Sequence, residues 1–236
     1  MNIKVKGGCF LYTSKQISKE LAEKPSIIGI FTSPGLQFER MKSKRNIFVP
    51  LIILIVLIIT SSALISWNSL NHPALNMFHD NTSFSVPTYI TFLTSFGITT
   101  IGGILGLFFI PIFYKNIMIF FGVDIEYKET LAIVIYSSFI LRLGMVLNGL
   151  IAFYLNGYEI SYTGLGSLIT NNAILHAIAQ KIDIFTIWYY ILIGIGLKTF
   201  TNLNKNKLIP LIIVIFVFTT LLASMAGFMQ EISNPK

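Results

Sequence analysis

The chain has 236 residues, of which 54% are hydrophobic and 11% charged, with a formal net charge of +7 and a mean hydropathy of +0.74. A soluble domain carries about 25% charged residues, so there is too little charge here to cover a water-facing surface. Charge-free runs at 46–79, 81–114, 143–158, 184–197 and 208–230, several as long as the roughly 20 residues that cross a bilayer core, exclude an ordinary cytosolic enzyme. The expected fold class is all-α, a polytopic transmembrane helical bundle.

Residues 1–26 read as a polar N-terminal tail. Its one cysteine, Cys9, excludes an intrachain disulfide and a Cys-based metal cage, and no hydrophobic stretch precedes it as a lipoprotein cysteine requires. Residues 1–10 have two readings. Lys6-Gly7-Gly8 can be a translated ribosome-binding site with Leu11 as an alternative start, or the segment is a basic tail. Residues 27–45 form a basic interfacial segment. Ile27, Ile28, Ile30 and Phe31 make an apolar cluster, then Ser33 as N-cap and Pro34 at the first helical position start a short helix. Pro34, Phe38 and Met41 share one face, while Arg40, Lys42, Lys44 and Arg45 are the basic side chains expected to face lipid or a partner.

The membrane domain, 46–230, divides into five spans at about 47–67, 88–114, 130–154, 183–200 and 208–230. Trp67 closes the first as an interfacial anchor. The second carries Gly97, Gly102, Gly103 and Gly106, with Pro111 expected to bend it. Between spans three and four, 155–182 reads as a polar loop ending in a surface helix with Leu168, Leu175, Ile178 and Ile182 on one face. Lys and Arg settle the expected orientation. Nine lie in 1–45, two in 115–129 and three in 198–207, against Lys181 and Lys236 on the other side. That distribution puts the N-terminus in the cytoplasm and the C-terminus outside, and it makes the positive charge a topological signal and gives no reason to expect nucleic-acid binding.

Arg142 falls near the middle of span three, where no acid lies at comparable depth. An intramembrane arginine needs partners and marks a candidate functional position, although snorkelling or a structural hydrogen bond would also account for it. Gly102 and Gly106 form a small-xxx-small pair, and Gly144 and Gly149, then Gly194 and Gly196, add smooth patches on spans three and four. These are candidate helix-packing sites, within the chain or in a homo-oligomer. His72, His79 and Asp80 gather in one loop and His176 in another, without the spacing of a metal site. Nucleotide-cradling, metalloprotease, nucleophile-elbow and CxxC motifs are all missing. Nothing calls for a cofactor, a metal or a catalytic residue.

Two stretches resemble a known family. Lys24-Pro25-Ser26-Ile27-Ile28-Gly29-Ile30-Phe31-Thr32-Ser33-Pro34, running through Phe38-Glu39-Arg40-Met41, is similar to the opening of bacterial Yip-family (Ypt-interacting-protein-like) membrane proteins. Asp183-Ile184-Phe185-Thr186-Ile187-Trp188-Tyr189-Tyr190 through Gly194-Ile195-Gly196-Leu197 resembles that family's fourth and fifth spans. The resemblance covers about 24–230. It implies five spans, a cytoplasmic N-terminus and a non-enzymatic role in the cell membrane. It further implies an accessory or scaffold for an ABC-type exporter of antimicrobial-peptide resistance, with permease, ATPase and periplasmic-type adaptor as partners. Arg142 is not part of the family pattern. The competing expectation is a small transporter or channel with Arg142 in its pathway, although an odd number of spans without an internal repeat speaks against it.

Overall fold

The computed structural model describes residues 21, 23–44, 46–72, 86–169, 172–201 and 203–233, with backbone alone for 223 and 226–233. The expectations for 1–10, Leu11, Arg45, His79 and Asp80 lie outside the described residues. Within them are eight α-helices and no strand. A four-residue turn, α1 (Gly29–Thr32), leads into α2 (Pro34–Ser43). Five long helices follow, α3 (Phe48–Ser69), α4 (Thr88–Phe120), α5 (Tyr127–Leu155), α7 (Ile184–Thr201) and α8 (Lys205–Ser233), with the short α6 (Ala173–Gln180) between α5 and α7. All five long helices are long and apolar enough to cross a membrane.

The expected spans are therefore present, and their ends show what the hydropathy pattern underestimates. α4 runs through Phe120, six residues past the expected Tyr114, because Lys115 and Asn116 continue the helix beyond the charge-free run. At about 1.5 Å per residue its 33 residues span about 50 Å, more than the roughly 30 Å hydrocarbon core, so the helix must tilt or protrude. Pro111 lies buried inside it, and the Tyr127 hydroxyl donates to the Phe108 carbonyl at 3.2 Å. That contact brings a donor to the stretch of backbone that proline loosens. α5 starts on a capping box, in which Glu126 and Glu129 satisfy each other's backbone N–H. It ends at Asn156 in the left-handed region, φ 51°.

α5 is the hub of the bundle. In its most apolar stretch 61% of residues are buried, against 11% in α4, and α3, α4 and α7 all pack on it. Leu131 through Phe139 form an unbroken buried run inside one core with Leu54 and Ile58 of α3, Leu107 of α4, and Leu192, Ile193 and Leu197 of α7.

α2 belongs to this core. Phe38 and Met41 are fully buried, and a Cβ built at Gly196 of α7 would lie 3.1 Å from Phe38 Cε1 and 2.6 Å from Ile133 Cγ2. The face expected to rest on lipid is docked on protein instead, because Gly196 leaves a hollow that an aromatic ring fills. The gain over lipid is the close van der Waals fit of ring and hollow. Ser33 occupies the N-cap position without capping through its side chain; its Oγ donates weakly to the Gly29 carbonyl and accepts from Gln37, both at 3.4 Å.

Gly196→Leu should overfill this junction. The expected loss is about 2–3 kcal/mol, read as a lowered midpoint of thermal unfolding in detergent and faster proteolysis within 24–45.

Candidate functional site

Three places in the bundle hold polar chemistry: the middle of α5, the loop end where 156–183 folds back, and the basic segment at α2.

Arg142 is half-buried in the middle of α5. Its guanidinium lies over Gly103 of α4, where a built Cβ would stand 3.2 Å from Nη2 and 2.9 Å from Ile58 Cγ2 of α3. Any larger residue at 103 would have to displace one of them. Nη1 donates to Met145 Sδ at 3.4 Å, a weak acceptor. Among the described residues no carboxylate pairs with it.

The loop end is organised around Asn148 and Asp183. Asn148 Oδ1 accepts the backbone N–H of Tyr162 at 2.7 Å and of Thr163 at 2.9 Å. Its Nδ2 donates to the Gly144 carbonyl at 3.0 Å and to Thr163 Oγ1 at 2.9 Å. Asp183, only 4% exposed, caps α7 by accepting from Phe185 N at 2.8 Å and Thr186 N at 3.2 Å. Its second oxygen accepts from Ser161 Oγ at 2.8 Å and from Thr163 Oγ1. Thr163 thus ties the amide on α5 to the carboxylate that starts α7. Beside it His176 Nε2 stands 3.0 Å from Glu159 Oε2, Gln180 donates to the same carboxylate, and His176 Nδ1 meets the Ile169 carbonyl. His72 stacks edge-on against Tyr158 at 4.7 Å between ring centres. The histidines serve packing and hydrogen bonding here, and no metal-binding group occurs among the described residues.

A cavity of about 200 Å³ opens between α5 and α7 under this loop, with Leu141, Met145 and Asn148 on one wall and Phe185 and Tyr189 on the other. Lys181 stands at its edge. Burial there holds the Lys181 ammonium below the ordinary lysine range.

The glycines divide sharply. Gly196 is a tight contact, and Gly194 meets Ile212 of α8 at an ordinary 3.5 Å. A Cβ at Gly102 would meet nothing within 4 Å, and at Gly106 only Ile110 of its own helix. Close helix contacts fall instead at Gly103, at Gly144 against Phe185, and at Gly149 against Leu64.

The basic residues separate in the same way. Arg40 is turned inward, 9% exposed, and pairs with Glu23 at 2.7 Å. It lies between Gln37 and Met41 on the docked face of α2, so the packing that buries Met41 carries it in. Lys42 is exposed beside Glu39 at 3.4 Å, and Lys44 is exposed. The loop-end network escaped sequence reasoning because its members are spread over 35 residues. One signal was readable, since Asp183 directly before an apolar run is an N-cap signature.

Residues 28–227 match the Yip1 domain family. The chain is 31% identical over 218 residues to Membrane protein YknW of Bacillus subtilis (strain 168), covering 87% of this chain and 94% of that protein. No solved structure matches. The chain belongs to the Yip1 domain family.

Asn148→Leu should strand two loop N–H groups and loosen 156–183. The expected cost is about 2–3 kcal/mol, checked by thermal unfolding and by limited proteolysis within that loop. Lys181 tests the electrostatics. Because its folded pKa lies below the unfolded value of 10.5, the charged form is disfavoured on folding, and stability rises as pH climbs from the folded pKa toward 10.5. Lys181→Met should raise the melting temperature at neutral pH and remove that part of the alkaline rise.

Proposed function

We propose that this member of the Yip1 domain family is a non-enzymatic accessory or scaffold protein. In this reading it is a multi-pass protein of the bacterial cytoplasmic membrane with its N-terminus inside and C-terminus outside. It assists assembly or activity of an ABC-type export complex in antimicrobial-peptide or toxin resistance. Permease, ATPase and periplasmic-type adaptor are the intended partners, with the bilayer as solvent.

The observation that carries the reading is the open face of α4. Gly102 and Gly106 present backbone to empty space, flanked by exposed Ile101, Leu105 and Phe109. Lipid chains gain little from such a surface, whereas a second helix can approach it closely and gain van der Waals contact. The similarity to a relative named only as a membrane protein, over nearly its whole length, supports a shared role of this kind. A flux role has less support. Thr130 through Phe139 is buried without a break, and Arg142 lies against Gly103 and Met145.

The full chain should co-purify with an ABC-type permease, ATPase and adaptor when they are co-expressed. Gly102→Leu with Gly106→Leu meets no neighbouring helix among the described residues, so the isolated protein should keep its melting temperature while recovery of the permease falls about fivefold or more. Unchanged recovery with the double variant, or flux through proteoliposomes holding this chain alone, would reject the reading.

A further inference from the structure

Arg142 carries more hydrogen-bonding capacity than this chain uses. A guanidinium has five N–H donors in a planar fork. Here the described residues offer it one thioether sulfur at 3.4 Å and no carboxylate. An arginine so placed in a membrane interior is costly unless something pairs with it.

We propose that Arg142 and the glycine notch of α4 form a docking site for a transmembrane helix of a different protein, one carrying an Asp or Glu at mid-membrane depth. The proposal rests on the accessory reading only in taking the partner to be a membrane protein.

Three observations select this occupant. A carboxylate matches the fork in charge and shape, accepting two parallel N–H groups. A second copy of this chain cannot supply one. Among the described residues no Asp or Glu lies in the interior of a long helix, and the nearest along α5, Glu129, is about 20 Å away at 1.5 Å per residue. A lipid phosphate sits about 15 Å away, half the hydrocarbon core. The surface beside the arginine is also shaped for a helix. On an ideal helix Gly106 lies about 60° round from Gly103, and Gly102 about 40° further the same way. The notch that admits the guanidinium thus borders the bare strip at Gly102 and Gly106.

The test uses the purified full-length protein in liposomes with labelled Leu-rich transmembrane peptides, identical except for a central Glu, Gln or Leu, and reads association by energy transfer. The Glu peptide should bind about tenfold more tightly than the Leu peptide. That preference should vanish in Arg142→Leu and persist in part in Arg142→Lys, which keeps the charge should the first variant fold poorly. Gly102→Leu, whose Cβ meets nothing within 4 Å, should weaken the Glu peptide without changing the melting temperature.

Equal binding of the Glu and Leu peptides would overturn the proposal, as would a preference that survives Arg142→Leu. So would labelled copies that associate with each other and exclude the peptide, or a preference abolished by anionic lipid, which would make phosphate the occupant. A Glu preference without co-purification of exporter components leaves this site standing and removes the export role. Co-purification unaffected by Arg142→Leu, with no Glu preference, does the reverse.

Discussion

A polar group inside a bilayer has no water to fall back on, so the chain itself must answer it. Nearly every polar contact between the long helices obeys this constraint through α5 or its neighbours. Asn68 Nδ2 of α3 donates to the Gly149 carbonyl at 2.8 Å. The Tyr136 hydroxyl reaches the Asn46 carbonyl. Tyr114 and Tyr189 share a hydrogen bond between α4 and α7, and Tyr190 meets Thr219 of α8 at 2.7 Å. The remaining hydroxyls largely turn back on their own helices, as Thr60, Thr99 and Thr220 do. The bundle is held by shape and by these pairs, since burying apolar surface gains little against lipid.

That distinction explains why glycine placement matters more than hydrophobicity here. Gly103, Gly149 and Gly196 each lie where neighbours need the volume of a missing Cβ: Ile58 and Arg142 at the first, Leu64 at the second, Ile133 and Phe38 at the third. The docking of α2 follows from the last. Without the hollow at Gly196, the Phe38 ring would have no protein surface to fit, and the helix would have reason to lie on the headgroups. Gly196 in α7 therefore helps seat the N-terminal segment, on which Arg40 turns inward toward Glu23.

The number and position of the spans were legible because a bilayer demands a length of uncharged residues that few other structures need. The helix ends were less so, since charge-free runs stop at the first lysine while a helix such as α4 continues through it. The glycines show the boundary most clearly. Gly102 and Gly106 carry the recognisable spacing and meet no other helix among the described residues, whereas Gly103, one residue from Gly102, carries the contact. Spacing identifies a surface a helix could use; only the rotation of α4 about its axis decides which side faces its own bundle. Arg142 stood out for the opposite reason, because charge at that depth is rare whatever its orientation. The Asn148–Thr163–Asp183 link was hidden by sequence distance, though each member is an ordinary loop or cap residue.

Asp183 and Arg142 are treated in contrasting ways, and the contrast bears on function. The Asp183 carboxylate is buried and accepts four hydrogen bonds, two from the backbone it caps and two from hydroxyls. Such a group is finished; it has no capacity left for a ligand. The Arg142 guanidinium is half-buried and, among the described residues, has one weak acceptor. Leaving a buried charge without its counter-charge costs several kcal/mol, more than enough for a leucine at 142 to have been the better residue if packing were the whole matter. A fold that answers one charge so fully has the means to answer another. That it does not do so at Arg142, beside an open strip of glycines, is the reason to look for the missing acceptor outside the chain.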